Sequence, residues 1–291
     1  MSTNSRWKQF LFSPLTRILL GLVGLVGVVA IGQIGTESLL SGMGMEEDFR
    51  NLMTGIVAAI LAIVAYRYLF NIYEKRDITE LSTRGMGRHL LLGVLLGAAL
   101  QALTILVIYL NGGYTVVSVN PVQYMIPPLT MAITAAIVEE ILFRGILFRI
   151  LEEKWGSYVG LGVSALIFGA LHLANPNSSL VTAIGLAIQA GLLLGVAYMF
   201  TRNLWFPIAI HFAWNFTETA VFGANVSGNA LSKTWLTSRI SGPEWITGGA
   251  FGPEGSVQAT LFCLAATIVL LSYCIKKGQV VKPSQRPPAA R

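Results

Sequence analysis

Two adjacent carboxylates, Glu139 and Glu140, stand inside the otherwise apolar run TAAIVEEILFRGILFR, with Arg144 one helical turn beyond Glu140. A charged side chain in hydrocarbon costs at least ~2.5–3.5 kcal/mol on insertion scales, so residues of this kind point to function. On a helix Glu140 and Arg144 are i,i+4 neighbours and can pair. Glu139 is turned about a third of the way round and faces elsewhere. One glutamate can thus be a counter-ion while the other remains available as a base, a recurrent arrangement in acid–base chemistry near neutral pH. The plainer alternative is a Glu–Arg clamp that ties helices together.

Two of the chain's three histidines also fall in apolar segments, His172 in FGALH and His211 in HFAWN. His211 and Asn215 are i,i+4, so they share one helix face, and two such donors suit a developing oxyanion. His172 could orient a water or carry its proton. Taken singly, each histidine is more often a hydrogen-bonded core residue than a catalyst. A metal is the other chemistry open to these groups. His172, His211 and Glu139 would make a three-ligand hydrolytic zinc site with an open position. No H-E-x-x-H pattern is present, and the spacing neither demands nor excludes a metal. The cofactor expectation therefore stays at none or zinc.

These residues must be held by membrane helices. Of 291 residues, 54% are hydrophobic and 12% charged, against roughly 25% charged in soluble domains, and the mean hydropathy is +0.66. The expected class is an all-α, polytopic membrane bundle of about eight transmembrane helices. The candidate spans are 15–36, 52–73, 89–111, 122–150, 158–174, 180–201, 204–222 and 257–275, each judged against a span of about 20 residues. The first reads as a retained anchor, since its apolar stretch is long for a signal peptide. The net charge of +6 sits at the flanks of apolar runs and so speaks of topology, not of nucleic acid. Arg6, Lys8 and Arg17, then Lys75, Arg76, Arg84 and Arg88, then Lys154, Arg202, Lys276 and Lys277 all fall on one side. The other side has Glu46, Glu47 and Asp48 and the uncharged NGGYTVVSVNP, with Lys233 and Arg239 as its exceptions. By the positive-inside rule both termini are cytoplasmic and the protein is multi-pass in the cell membrane. Cys263 and Cys274 lie in the last apolar run and read as small buried hydrophobes.

Four regions are expected: three N-terminal spans (1–121), a core (122–222), an extracytoplasmic Gly-rich loop (223–256), and the last span with a cytoplasmic tail (257–291). Glu218 is expected at the outer end of the seventh span. Trp7, Trp205 and Trp214 read as interfacial anchors or packing. The tail KPSQRPPAAR reads as disordered. Counted from the cytoplasmic helix ends at 1.5 Å per residue, Glu139 lies ~16 Å deep, His211 ~10 Å and His172 ~21 Å. Those depths must be reconciled if the three are to cooperate.

EEILFR at 139–144 fits EExxxR, FGALH at 168–172 fits FxxxH, and HFAWN at 211–215 fits HxxxN. This ordered set, on successive hydrophobic helices, resembles the CPBP family of intramembrane proteases. That family comprises CAAX prenyl endopeptidases of type II and the bacteriocin-processing and abortive-infection-like proteins. The segment TGGAFGPEGS at 247–256 is similar to its bacterial branch. The resemblance implies that Glu139 activates water with His172 assisting, that Glu140 belongs to the same catalytic set, and that His211 and Asn215 stabilise the oxyanion. Arg144 and Phe168 are its structural partners. It implies a membrane-associated protein or peptide as substrate. Two readings stand beside it. One is a catalytically silent immunity or scaffold protein that binds a bacteriocin or membrane partner. The other is a proton-coupled transporter that uses the carboxylates as a relay.

Overall fold

The computed structural model describes residues 7 and 9–283. Arg6, Lys8 and most of the tail, including its expected disorder, lie outside the described residues. Helix α1, Pro14–Gly42, opens on Ser13, whose hydroxyl accepts from Thr16 N, with Pro14 in the first turn. Helix α2, Glu47–Glu74, carries Glu47 and Asp48 in its first turn, where the helix dipole favours negative charge. Helix α3 is Met86–Leu110. Helix α4 begins as Ile126–Glu140, passes through a widened π-type run, Ile141–Phe148, and ends as Arg149–Trp155. Helix α5 is Ser157–Leu171.

Helix α6 spans Leu180–Thr201 and contains a second π-type run, Ala187–Leu192. It starts at a reciprocal Ser179–Thr182 cap. Helix α7, Trp205–Phe216, continues into a third π-type run, Thr217–Val221. Helix α8 is Val257–Lys276. The protein is therefore an all-α, multi-pass membrane bundle. Among the described residues, six of these eight helices, α1, α2, α3, α5 with the turn that carries it to Ala174, α6 and α8, are long and apolar enough to cross a membrane. That is fewer than the eight spans the apolar runs suggest. The remaining two, α4 and α7, are those that carry the glutamate pair and the His–Asn pair.

The uncharged segment expected as loop between α3 and α4 contains strand β1, Tyr114–Val119. It pairs antiparallel with β2, Leu236–Ile240, across a register shift between Val116 and Ser118. This two-stranded sheet ties the long loop after α7 to the start of the α4 unit. At the opposite end of the bundle the bases find acids. Glu74 accepts from Arg17, Arg76 and Arg149, and Glu152 pairs with Arg202.

Helix α7 packs on α3 and α4. Its approach to α3 depends on glycine: a Cβ at Gly93 would lie 2.8 Å from Phe206 O, and one at Gly97 would collide with Ile210 O. Both cysteines are buried and free, as the sequence suggests.

Candidate active site

Glu140 is wholly buried. Its Oε1 accepts from Arg144 Nη1 at 2.8 Å and lies 3.0 Å from His211 Nδ1. The other arm of Arg144 donates to Ala190 O at 2.6 Å and Gly191 O at 3.1 Å. Both carbonyls lie in the π-type run of α6, and Arg144 lies in that of α4. Such widened turns free backbone carbonyls from the regular ladder and are frequent at functional sites. Here they supply the acceptors that a buried guanidinium needs.

Arg144 also lies over the Phe168 ring, 5.2 Å from its centroid. On the other side of the stack the rings of Phe168 and His172 are 4.5 Å apart at 31°. His172 Nδ1 lies 2.8 Å from Phe168 O. The phenylalanine thus positions His172 above the arginine, which gives the FxxxH spacing a physical reason. His172 Nδ1 is engaged by the carbonyl, so Nε2 is the atom left for chemistry.

Glu139 has the opposite fate from its neighbour. Its side chain keeps 31% of its surface exposed, and its Oε2 stands 4.0 Å from His211 Nε2. It faces a cavity of about 450 Å3, lined also by His172, His211, Asn215, Phe143 and Asn175. Glu139, His172, His211 and Asn215 are therefore brought together, while Glu140, Arg144 and Phe168 lie beneath them as support. The counted depths do not hold: His211 Nε2 stands 4.0 Å from Glu139 Oε2, and His172 lines the same cavity. At the start of α7, Leu204 N bonds to Glu80 O in a buried turn.

Among the described residues no group of three or more His, Cys, Asp or Glu is arranged to hold a metal ion. His211 turns Nδ1 to Glu140 and His172 turns Nδ1 to a backbone carbonyl, which leaves Nε2 the free nitrogen of each ring.

Residues 121–217 match the family described as Type II CAAX prenyl endopeptidase Rce1-like. All seven motif residues lie inside that segment. Over 87 residues the chain is 32% identical to a Bacillus subtilis (strain 168) protein named "Putative membrane peptidase YdiL", covering 30% of this chain and 33% of that one. Over 82 residues it is 35% identical to "Uncharacterized protein YpbD" of the same organism, covering 28% and 38%. The match thus spans about a third of each relative's length. No solved structure gives a significant match.

Several residues around the site were not singled out from sequence. Glu254, from the Gly-rich segment, is buried; its Oε1 accepts from Trp214 Nε1 at 2.9 Å and its Oε2 from Ser227 N at 2.7 Å. Gln189 Nε2 donates to Glu254 O at 2.8 Å. Gln189, Ser227 and Glu254 share with His172, His211 and Asn215 a second, small cavity of about 40 Å3, room for about one or two waters. The available signal was a lone acid between glycines in GPEGS. Glu218 lies in the last run of α7, at the helix end where it is expected, and is fully buried there; its Oε1 accepts from Glu254 N. Trp214 is a packed, hydrogen-bonded residue and not an interfacial one.

Proposed function

We propose that this chain is an intramembrane endopeptidase that hydrolyses a peptide bond of a membrane-associated protein or peptide with a water activated by Glu139. One observation carries the reading: the two adjacent glutamates are divided in role. Glu140 is sealed beneath the site by Arg144 and His211, whereas Glu139 opens on the cavity that His172, His211 and Asn215 line.

In this mechanism the Glu139 carboxylate takes a proton from water, and the hydroxide attacks the scissile carbonyl carbon. The resulting oxyanion lies between Asn215 Nδ2 and His211 Nε2, which donate to it. Because His211 Nδ1–H is committed to Glu140, Nε2 donates only from the doubly protonated ring; Asn215 can donate in any state. The C–N bond then breaks, and Glu139 returns its proton to the leaving amine, so protons and bonds balance. His172 Nε2 holds the attacking water. Water access is confined to the cavity, which strengthens each of these electrostatic contacts.

The test is cleavage of fluorogenic peptides, prenylated and unprenylated, by detergent-purified protein beside its Glu139→Gln variant. Cleavage lost in the variant and retained under strong chelation supports a glutamate-type endopeptidase. Loss on chelation with rescue by zinc refutes the mechanism.

A further inference from the structure

The catalytic cavity has a defined entrance. A second cavity of about 600 Å3 lies between α1, α2 and α4, and it shares Glu139, Met131, Ala135 and Leu231 with the first. Together they form one path from Glu139 to the ends of these helices. The end they reach is fixed by their linings. The path is bordered by Asp48 at the start of α2, Pro127 at the start of α4, and Leu231, Asn229 and Asn175 of the connecting loops. The basic loops, with Lys75, Arg76, Arg84 and Arg202, lie at the other end of the bundle, where Arg202 meets Glu152 and Asn203 reaches Ser82 O. By the positive-inside rule that basic end is cytoplasmic. The path therefore opens outward.

The lining of the groove sets the kind of occupant. Gln33, Asn51, Thr54, Thr130 and Thr134 face it. Thr130 Oγ1 already donates to Ile126 O and Thr54 Oγ1 to Glu37, so the amides of Gln33 and Asn51 are the groups open to an occupant. An isoprenoid chain laid here would strand those amides at the cost of lost hydration. An extended polypeptide, with a donor and an acceptor on each residue, satisfies them.

The rim is acidic. Asp48 already holds the ammonium of Lys233 from the long loop, and Glu46 and Glu47 are close enough to act on the same charge. Glu37 pairs with Arg50 at 2.6 Å beside them. Both ion pairs are partly exposed and so weakly held. A substrate lysine or arginine can replace Lys233 on Asp48 with little loss.

We infer that the site is entered from the extracytoplasmic side, along the polar groove between α1, α2 and α4, by an unlipidated, extended peptide segment that carries basic residues. A prenylated cytoplasmic C-terminus is excluded by both the side and the lining. The inference rests on the proposed protease reading for what happens at Glu139, but its two claims can be read without any cleavage.

The experiment uses the full-length protein with Cys263 and Cys274 replaced by alanine and Glu139→Gln to silence turnover. One reporter is Asn51→Cys, exposed at the groove; a second is Asn229→Cys, exposed at the cavity, in case the first impairs folding. Thr83→Cys, exposed in the loop between α2 and α3, marks the opposite face. In intact cells a membrane-impermeant maleimide is expected to label the groove and cavity cysteines, and Thr83→Cys only after permeabilisation. The reverse pattern overturns the inference.

In the purified protein, a lysine-rich unlipidated decapeptide is expected to slow labelling at Asn51→Cys several-fold. Its glutamate counterpart and a farnesylated tetrapeptide should leave the rate unchanged. Protection by the farnesylated peptide alone, or by neither peptide, overturns the assignment of the occupant. If labelling and protection follow expectation while the protein with Glu139 intact cleaves nothing, the protease reading fails and the entrance stands.

Discussion

Replacing Arg144 tests whether the site is held together from below. Arg144 is 1% exposed and makes one bond to the Glu140 carboxylate, two to carbonyls of α6 and a face contact with Phe168. Arg144→Met removes the charge and all three hydrogen bonds at similar length. Breaking a buried ion pair by removing one partner costs about 3–5 kcal/mol, because the other charge is left uncompensated. The lost bonds to Ala190 and Gly191 overlap with that figure and are not added to it. Arg144→Lys keeps a charge beside Glu140, yet one ammonium cannot reach the carboxylate and both carbonyls. Its cost is therefore nearer that of one lost charged hydrogen bond, about 1.5–3 kcal/mol.

The discriminating measurement is the double-mutant cycle with Glu140→Gln, read as equilibrium unfolding in mixed micelles by tryptophan fluorescence. With the carboxylate already neutral, Arg144→Met should cost less than in the parent. The expected coupling lies within the roughly 0.5–3 kcal/mol seen for contacting residues. Additivity to within about 0.3–0.5 kcal/mol refutes the claim that Arg144 acts mainly as the partner of Glu140. A smaller loss for methionine than for lysine refutes the use of the guanidinium fork.

Further outcomes follow from the same geometry. Glu139→Gln should lower kcat by about 10²–10⁴, the usual worth of a general base, and leave the unfolding midpoint almost unchanged, since Glu139 is half-buried and unpaired with arginine; a large midpoint shift would refute its assignment as a free base. Asn215→Ala should lower kcat by about 10²–10³ with little change in KM, and an effect on KM alone would move Asn215 from the oxyanion to substrate binding. Gly97→Ala should destabilise by about 1–3 kcal/mol through overpacking against Ile210 O and lower activity with it, whereas a neutral result would refute the close α3–α7 contact. Burial pushes the Glu80 carboxyl up, but hydrogen bonds and charge from Arg76, with the Tyr66 hydroxyl, outweigh it and hold the group below its ordinary value of 4.5. Its contribution to stability is thus full above that value and is lost as pH falls through the lower folded value. Glu80→Gln should flatten this acid limb of a stability–pH profile, and an unchanged limb would refute the pairing.

The candidate site positions were legible because hydrocarbon is costly for charge. In a run of apolar residues Glu139, Glu140 and Arg144 stand out, and i,i+4 spacing already separates a paired glutamate from a free one. What spacing could not show is how the pair is kept apart in character. That depends on Ala190 and Gly191, whose carbonyls are ordinary in sequence and become acceptors only because α6 widens there. Depth failed for a related reason: counting from helix ends assumes a regular helical rise, and α4 passes through a π-type run between Glu139 and its basic end.

Glu254 and Ser227 escaped notice because they lie in a long loop, where polar residues are expected and carry no penalty to advertise them. Yet that loop closes one wall of the cavity that Glu139 faces and pairs with the segment before α4 through β1 and β2. The two parts of the site are thus found by opposite signals. Intramembrane residues are conspicuous because their presence is expensive. Loop residues become visible only once the fold has buried them, as it has Glu254 between Trp214 and Ser227. The groove combines both kinds: its floor is Glu139, set by the helices, and its rim is Asp48 and Lys233, set by the loops. On the proposed entrance, substrate choice is carried by residues outside the three motifs, and proteins sharing those motifs can differ in what they admit.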